Sequence, residues 1–157
     1  MLVRAAEAAD VSAVAALNAT VQQQHYEARP DWFVAPDLEA IASWLTATLG
    51  RDDVFVFVAE EDRQIVGYAL ATLHRRPPTP FTRSMAILEL DQIGVAVDAR
   101  RSGVGSLLLR RIADLRSEVG GDLAMLTVWD FNEVARAVFR SSGFVDAMHR
   151  LELAPST

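Results

Sequence analysis

The stretch Ile93-Gly-Val-Ala-Val-Asp-Ala-Arg-Arg-Ser-Gly-Val-Gly-Ser106 constrains this chain more than any other. A β-branched run leads into Arg100-Arg101-Ser102-Gly103-Val104-Gly105, and an amphipathic helix pattern begins at once. A strand that turns directly into a helix presents the first helical N–H groups to the turn. Those groups have no intrahelical acceptor, and the helix dipole adds partial positive charge to them. Gly103 and Gly105 remove two Cβ atoms, so the backbone can close around a ligand. Arg100 and Arg101 add cationic donors. The combination describes an anion site of the kind phosphates occupy.

Composition narrows what that site can be. All 15 basic side chains are arginine, and cysteine is absent. Without lysine there is no P-loop, since the loop has no lysine to reach the phosphates, and no Schiff base. Without cysteine there is no disulfide framework, thiolate metal site or acyl-cysteine intermediate. A dinucleotide-binding Gly-x-Gly-x-x-Gly fails because Leu108 stands at the third glycine position. A plain strand-to-helix turn without a ligand stays open on local signal alone. The formal charge of −6 disfavours a general nucleic-acid binder and suits a cationic or amine substrate. No apolar run approaches the roughly 20 residues of a membrane span, and no signal peptide is visible, so the expected compartment is the cytoplasm.

The 157 residues read as one domain, without repeats or linkers. Leu2–Ala5 reads as a strand. Asp10 stands as a helix N-cap ahead of Val11, Val14, Leu17 and Val21. The stretch Gln22–Pro36 reads as a polar, aromatic loop, and Pro36-Asp37 opens a second helix that stops at Gly50. Val54–Ala59 and Ile65–Leu73 form a hairpin; Met85–Val97 is a long strand in which Gly94 marks a bulge or a close backbone approach. A helix over Val104–Leu115, a strand over Leu123–Val128, a helix over Asn132–Ser142 and a last strand over Phe144–Leu153 complete the chain.

Arg100-x-x-Gly103-x-Gly105, after a strand holding Ile93-Gly94-Val95, resembles the pyrophosphate loop of the GNAT N-acetyltransferase superfamily, (Gln/Arg)-x-x-Gly-x-(Gly/Ala). At the family's spacing, Asn132-x-x-Ala135-x-x-x-Phe139-x-x-x-Gly143-Phe144 resembles its Asn-x-x-Ala-x-x-x-Tyr-x-x-x-Gly-Phe motif. The resemblance extends over nearly the whole chain. It implies an α/β (α+β) fold with a mixed central sheet of six to seven strands and about four helices. The strands around 85–97 and 123–128 would splay to admit acetyl-CoA as co-substrate. Carried over by position, the N–H groups of Arg101, Ser102, Gly103, Val104, Gly105 and Ser106, with Arg100, would hold the pyrophosphate. The backbones of Val95 and Val97 would bond the pantetheine amides, and Val95 N–H would also face the thioester oxygen. Asn132 would contact the arm through its side chain, with Ala135 and Phe139 beside it.

The chemistry implied is direct attack of a neutral primary amine, on a small molecule or peptide, upon the thioester. An alkylammonium has a pKa of about 10.4, so a base must remove a proton. Glu89 and Asp91 share one face of the strand by alternation and are the candidate bases. Phe139 departs from the family's tyrosine, which protonates the leaving thiolate. Tyr26, Tyr68 or water would have to replace it; alternatively the chain is a non-catalytic acyl-CoA-binding module. His25 and Tyr26 fall in the segment expected to line the acceptor cleft, and Trp129 reads as packing. His25, His74 and His149 lack metal-ligand spacing, so no metal is expected. Relatives in the family often pair, which admits a homodimer that composition does not demonstrate.

Overall fold

A computed structural model describes residues 1–153. Three antiparallel pairings and one parallel pairing build a single mixed sheet. Its strands are β1 (Leu2–Ala5), β2 (Val54–Glu61), β3 (Gln64–Arg76), β4 (Met85–Val95) and β5 (Leu123–Leu126), in that spatial order. β1 to β4 run antiparallel to their neighbours; β5 lies parallel to β4. Helices α1 (Val11–Ala28) and α2 (Leu38–Thr48) cover one face, where Val14, Ala15 and Leu45 pack on Val56, Val58, Tyr68 and Leu70. Helix α3 (Val104–Glu118) covers the other, with Leu108, Ile112 and Leu115 against Phe57, Ala69, Ala71, Leu88 and Leu90. Helix α4 (Glu133–Ser141) adds Phe139 to that second core. β2 and β3 are apolar on both faces along most of their length because each face carries a helix layer, whereas β4 carries Glu89, Asp91 and Gln92 on its α1 side.

The chain departs from expectation at five places. The sheet has five strands among the described residues rather than six to seven. The last strand expected over Phe144–Leu153 does not form: Val145, Met148, Leu151 and Leu153 are exposed, and an apolar run without a cross-strand partner has no reason to extend as a strand. Helix α1 runs on to Ala28, absorbing the first half of the loop expected over Gln22–Pro36. Its glutamines and Glu27 are good helix formers, and only Pro30 prevents continuation. Asp10 does not cap α1. Its carboxylate accepts the Glu7 N–H at 2.8 Å and two bonds from Arg4 at 2.7 and 3.0 Å, so it ties the short turn before α1 to β1. β4 ends at Val95, and Val97 lies in a 3-10 turn over Val97–Ala99, where the chain prepares to enter α3.

The second helix does begin as the sequence implies, with the Asp37 side chain accepting the Ala40 N–H at 3.0 Å. Gly94 is a close approach and not the bulge. A methyl group placed on it would fall 2.6 Å from Tyr68 Cε1 and 3.2 Å from Val21 Cγ2. The bulge sits three residues earlier: Leu70 pairs with Gln92 and Ala71 with Leu90, leaving Asp91 as the extra residue of β4.

Gly94 thus sets the distance between α1 and the sheet. Gly94→Ala is expected to destabilise the protein by about 1–3 kcal/mol, the range for overpacking a core. The measurement is the urea midpoint. An unchanged midpoint would mean that Tyr68 and Val21 can give way freely.

Candidate active site

The parallel pairing of β4 with β5 covers only Ile87↔Leu123 through Leu90↔Leu126. Beyond it β4 continues to Val95 while β5 has ended, and the two chains part. Their separation opens a cleft of about 340 Å³. Leu90 to Ile93 form one wall, Leu126 to Trp129 the opposite wall, and Asn132, Ala135 and Phe139 of the α4 region its floor; Asn18, Val21, Gln22 and His25 of α1 face it from the remaining side.

Strand geometry decides which backbone groups face the gap. Ala96 donates its N–H to the Val66 carbonyl at 2.8 Å. Successive N–H groups of a strand point to opposite edges, so that of Val95 points away from β3, toward the side β5 has vacated. Immediately after it the chain makes the expected loop. Arg101 holds φ +65° and Gly103 φ +92°, and Gly103 is the residue before α3. The first helical bond runs from Leu107 N–H to the Gly103 carbonyl at 3.0 Å, so the N–H groups of Val104, Gly105 and Ser106 face the loop without an intrahelical acceptor. Ser102 Oγ donates to the Ala99 carbonyl at 2.7 Å and closes the turn. Arg100 lies over the strand end, its Nε 3.5 Å from the Val95 carbonyl. A methyl group on Gly105 would lie 3.9 Å from both Val95 Cγ2 and Val138 Cγ1, so loop, strand end and α4 converge there.

Asn132 is the N-cap of α4, its Oδ1 accepting the Ala135 N–H at 3.1 Å. That use leaves its amide nitrogen to face the cleft, which it lines. Phe139 lines the cleft and packs edge-on to Phe144, ring centres 6.2 Å apart.

The bulge at Asp91 determines the chemistry of the β4 wall. Before it Leu88 and Leu90 face α3; after it Ile93 and Val95 do. The residues between, Asp91 and Gln92, both fall on the α1 side. Asp91 lines the cleft, with Thr72 Oγ1 donating to its Oδ2 at 2.6 Å. The Asp91 side chain reaches solvent, yet enough protein surrounds its carboxyl that desolvation raises its pKa above the ordinary aspartate value. The Thr72 hydrogen bond opposes that shift, Glu89 adds to it, and His74 and Arg51 oppose it further. Glu89 shares the face, as alternation implies. It stands outside the cleft lining, with Oε2 3.5 Å from His74 Nε2. One ligand-type atom each of His74, Glu89 and Asp91 lies within 4.8 Å of the others. The spacing of the histidines in sequence could not show this, because the group assembles across β3 and β4.

Tyr26 and His25 belong to α1, not to a loop. His25 lines the cleft; Tyr26 is not among its lining residues. Tyr68 is. It is fully buried, its hydroxyl accepts from Asn18 Nδ2 at 2.9 Å, and burial pushes its pKa up to about 12 against the opposing effect of that bond. Asn18 Nδ2 also donates to Gln92 Oε1 at 2.8 Å. Asn18 and Gln92 escaped the sequence reading, although Asn18 interrupts the apolar stripe of Val14 and Val21, a visible signal of a buried polar contact.

The αL residue before α3 is open to a direct test. A methyl group on Gly103 would meet nothing within 4 Å, so Gly103→Ala carries backbone strain alone. It should lower stability by about 1–2 kcal/mol in urea unfolding.

Comparison with known proteins agrees with this architecture. The family model described as "Acetyltransferase (GNAT) family" matches residues 16–144. The uncharacterized N-acetyltransferase YhfO of Bacillus subtilis (strain 168) is 26% identical over 145 residues, covering 92% of this chain and 89% of that protein. A tetramutant of the BH1408 protein from Bacillus halodurans superposes with a TM-score of 0.92 at 27% identity, covering 98% of this chain and 99% of that one. The aminoglycoside N-acetyltransferase AAC(6')-Iy, solved in complex with CoA, superposes at 0.77 with 17% identity, covering 99% and 95%, a likeness of fold. With a strand-to-helix loop, a parted β4–β5 pair and a family match over most of its length, the chain belongs to the GNAT acetyltransferase family.

Proposed function

We propose that the protein transfers an acetyl group from acetyl-CoA to a primary amine by direct attack in a ternary complex. The observation that carries this reading is the cleft itself. It opens where β4 runs on past the end of β5 and carries the Asp91 carboxylate on its wall, and the loop of Arg100 to Gly105 that leads into α3 follows directly from the end of β4. CoA bound to a protein of this fold supports the co-substrate. The pyrophosphate would sit on the N–H groups of Arg101 through Ser106, and the pantetheine arm would add to the free edge of β4 in the manner of a strand. The positive φ of Arg101 supports a ligand role, since a non-glycine residue held in that region costs energy that a binding loop has reason to spend.

In the reaction, the acceptor loses a proton to Asp91, directly or through one water, and its nitrogen forms a bond to the thioester carbon. Val95 N–H hydrogen-bonds the developing oxyanion, a contact worth about 3–4 kcal/mol where comparable donors have been removed. The carbon–sulfur bond then breaks, and the CoA thiolate takes up a proton. Asp91 is preferred over Glu89 because Asp91 lines the cleft while Glu89 faces His74. Thiolate protonation is assigned to water. Phe139 has no proton to give, and Tyr26 does not line the cleft. Tyr68 has its hydroxyl buried between Asn18 and Gln92, and burial pushes its pKa up to about 12, which makes it a weaker acid than an ordinary tyrosine.

Phe139 also favours a second reading, an acyl-CoA-binding module without turnover. Calorimetry with acetyl-CoA and a free-thiol assay over a panel of amines separate the two. Binding in the range of about 1 μM to 1 mM with thiol release supports the enzyme. Binding without release from any amine supports the module, and absence of binding rejects both.

Two variants probe the mechanism. Asp91→Asn should lower kcat/KM by about 10²–10⁴, the usual contribution of a positioned base, with acetyl-CoA affinity unchanged. A base works deprotonated, so activity falls as pH drops through its pKa. Because desolvation raises that of Asp91, the acidic limb should lie above the 3.9 or so of a free aspartate and vanish in Asp91→Asn. Phe139→Tyr should change kcat by less than about threefold if water suffices as the acid; a rise of tenfold or more would show that thiolate protonation limits the rate.

A further inference from the structure

The acceptor end of the cleft carries its own specificity. Its walls at that end are Val21, His25, Phe33 and Trp129, with Asp91 at the reacting position. The aromatic side chains belong to one cluster. His25 meets Phe33 edge-on at 5.0 Å and Phe131 at 5.6 Å; Phe33 meets Trp129 at 5.4 Å, and Trp32 meets Trp129 at 5.5 Å. Each ring is therefore fixed by another, which gives a shaped apolar surface at low entropic cost.

The ionic content of the cleft is equally restrictive. Among the described lining residues Asp91 is the sole carboxylate, and none is arginine. Arg29 stands over the Trp129 ring at 5.1 Å, yet it is engaged by Asp31 at 2.7 Å and Glu152 at 3.0 Å and lies outside the lining. His25 Nδ1 is 2.8 Å from the Val21 carbonyl, which can only accept, so Nδ1 donates there and Nε2 is the ring atom left for a ligand. An acceptor with a carboxylate would meet Asp91 and no cation. A polyamine would find a carboxylate for one ammonium at Asp91 and no second one in the lining, since Glu89 stands outside it, 3.5 Å from His74.

We infer that the acceptor is a monoamine with one positive charge whose body is a flat apolar ring, seated against Phe33 and Trp129 with its amine at Asp91. This rests on the N-acetyltransferase reading above and names the substrate class for the same site. Phe33 and Trp129 are then the specificity-determining residues.

The test compares three acceptors with acetyl-CoA in the thiol-release assay: phenethylamine, phenylalanine, which has the same ring and adds a carboxylate, and spermidine. Phenethylamine should exceed both others by at least about tenfold in kcat/KM, the discrimination one unpaired charge supports. Phe33→Ala and Trp129→Ala should raise KM for phenethylamine about tenfold or more, with the acetyl-CoA Kd from calorimetry held within about threefold. Trp129→Phe should restore most of the loss, which a variant damaged only in folding would not reveal. Phenylalanine or spermidine turned over as well as phenethylamine overturns the inference and leaves the N-acetyltransferase reading standing. An unchanged KM in both alanine variants overturns it likewise. Acetyl-CoA binding with no thiol released by any of the three and by none of a wider amine panel removes the enzyme reading, and this inference with it.

Discussion

The ladder between β4 and β5 stops after Leu90 and Leu126, and the rest of the molecule is arranged around that stop. A sheet interior cannot leave backbone N–H and C=O groups unpaired at small cost. Here the freed edge of β4 opens into a cleft, where a ligand with amides of its own can complete the pairing. The stop also fixes where the other parts must be. The helix that follows β4 starts at the mouth of the gap, and α4, capped by Asn132, begins where β5 has turned aside. The two helix starts follow the same pair of diverging strands, and Gly105 of α3 comes near both the end of β4 at Val95 and α4 at Val138.

The opposite side of the cleft is held rigid by a different device. Asn18, on α1, bridges the hydroxyl of Tyr68 and the amide of Gln92, and the Tyr68 ring rests on Gly94. Tyr68 is fully buried while Asn18 and Gln92 are half-buried beside the cleft, and among the described residues no buried side-chain polar atom is left without a partner. α1 is therefore fixed in its approach to the very part of β4 that lines the cleft, and His25, two turns further along the same helix, inherits that placement.

The features legible in the sequence were those whose chemistry is local. The loop from Arg100 to Gly105 could be read because glycine, arginine and a helix start each carry meaning within a few residues. The Asp37 cap and the stop at Gly143 belong to the same class. What escaped depends on partners distant in sequence. The bulge at Asp91 exists only in register with β3, so the sequence offered only the glycine inside the strand, Gly94, as the mark of a bulge or a close approach, and the close approach is what it proved to be. The cluster of His74, Glu89 and Asp91 is cross-strand for the same reason. The expected strand over Phe144–Leu153 failed in the opposite way. Its composition was suitable, but strand formation needs an edge that pairs with it, and composition does not reveal one. The loop reading of Gln22–Pro36 gave its prolines too long a reach; the helix ends at Ala28, two residues before Pro30, and not before Gln22.

The extra residue at Asp91 makes β4 a strand of two parities. Leu88 and Leu90 belong to one numbering of its faces, and Ile93 and Val95 to the other. The extra residue absorbs that change of parity: without Asp91, the run Leu90, Gln92, Ile93, Gly94, Val95 would alternate regularly and each side chain would keep its present layer, so the packing of β4 does not depend on the bulge and what the bulge adds is a carboxylate beside Gln92 on the cleft wall.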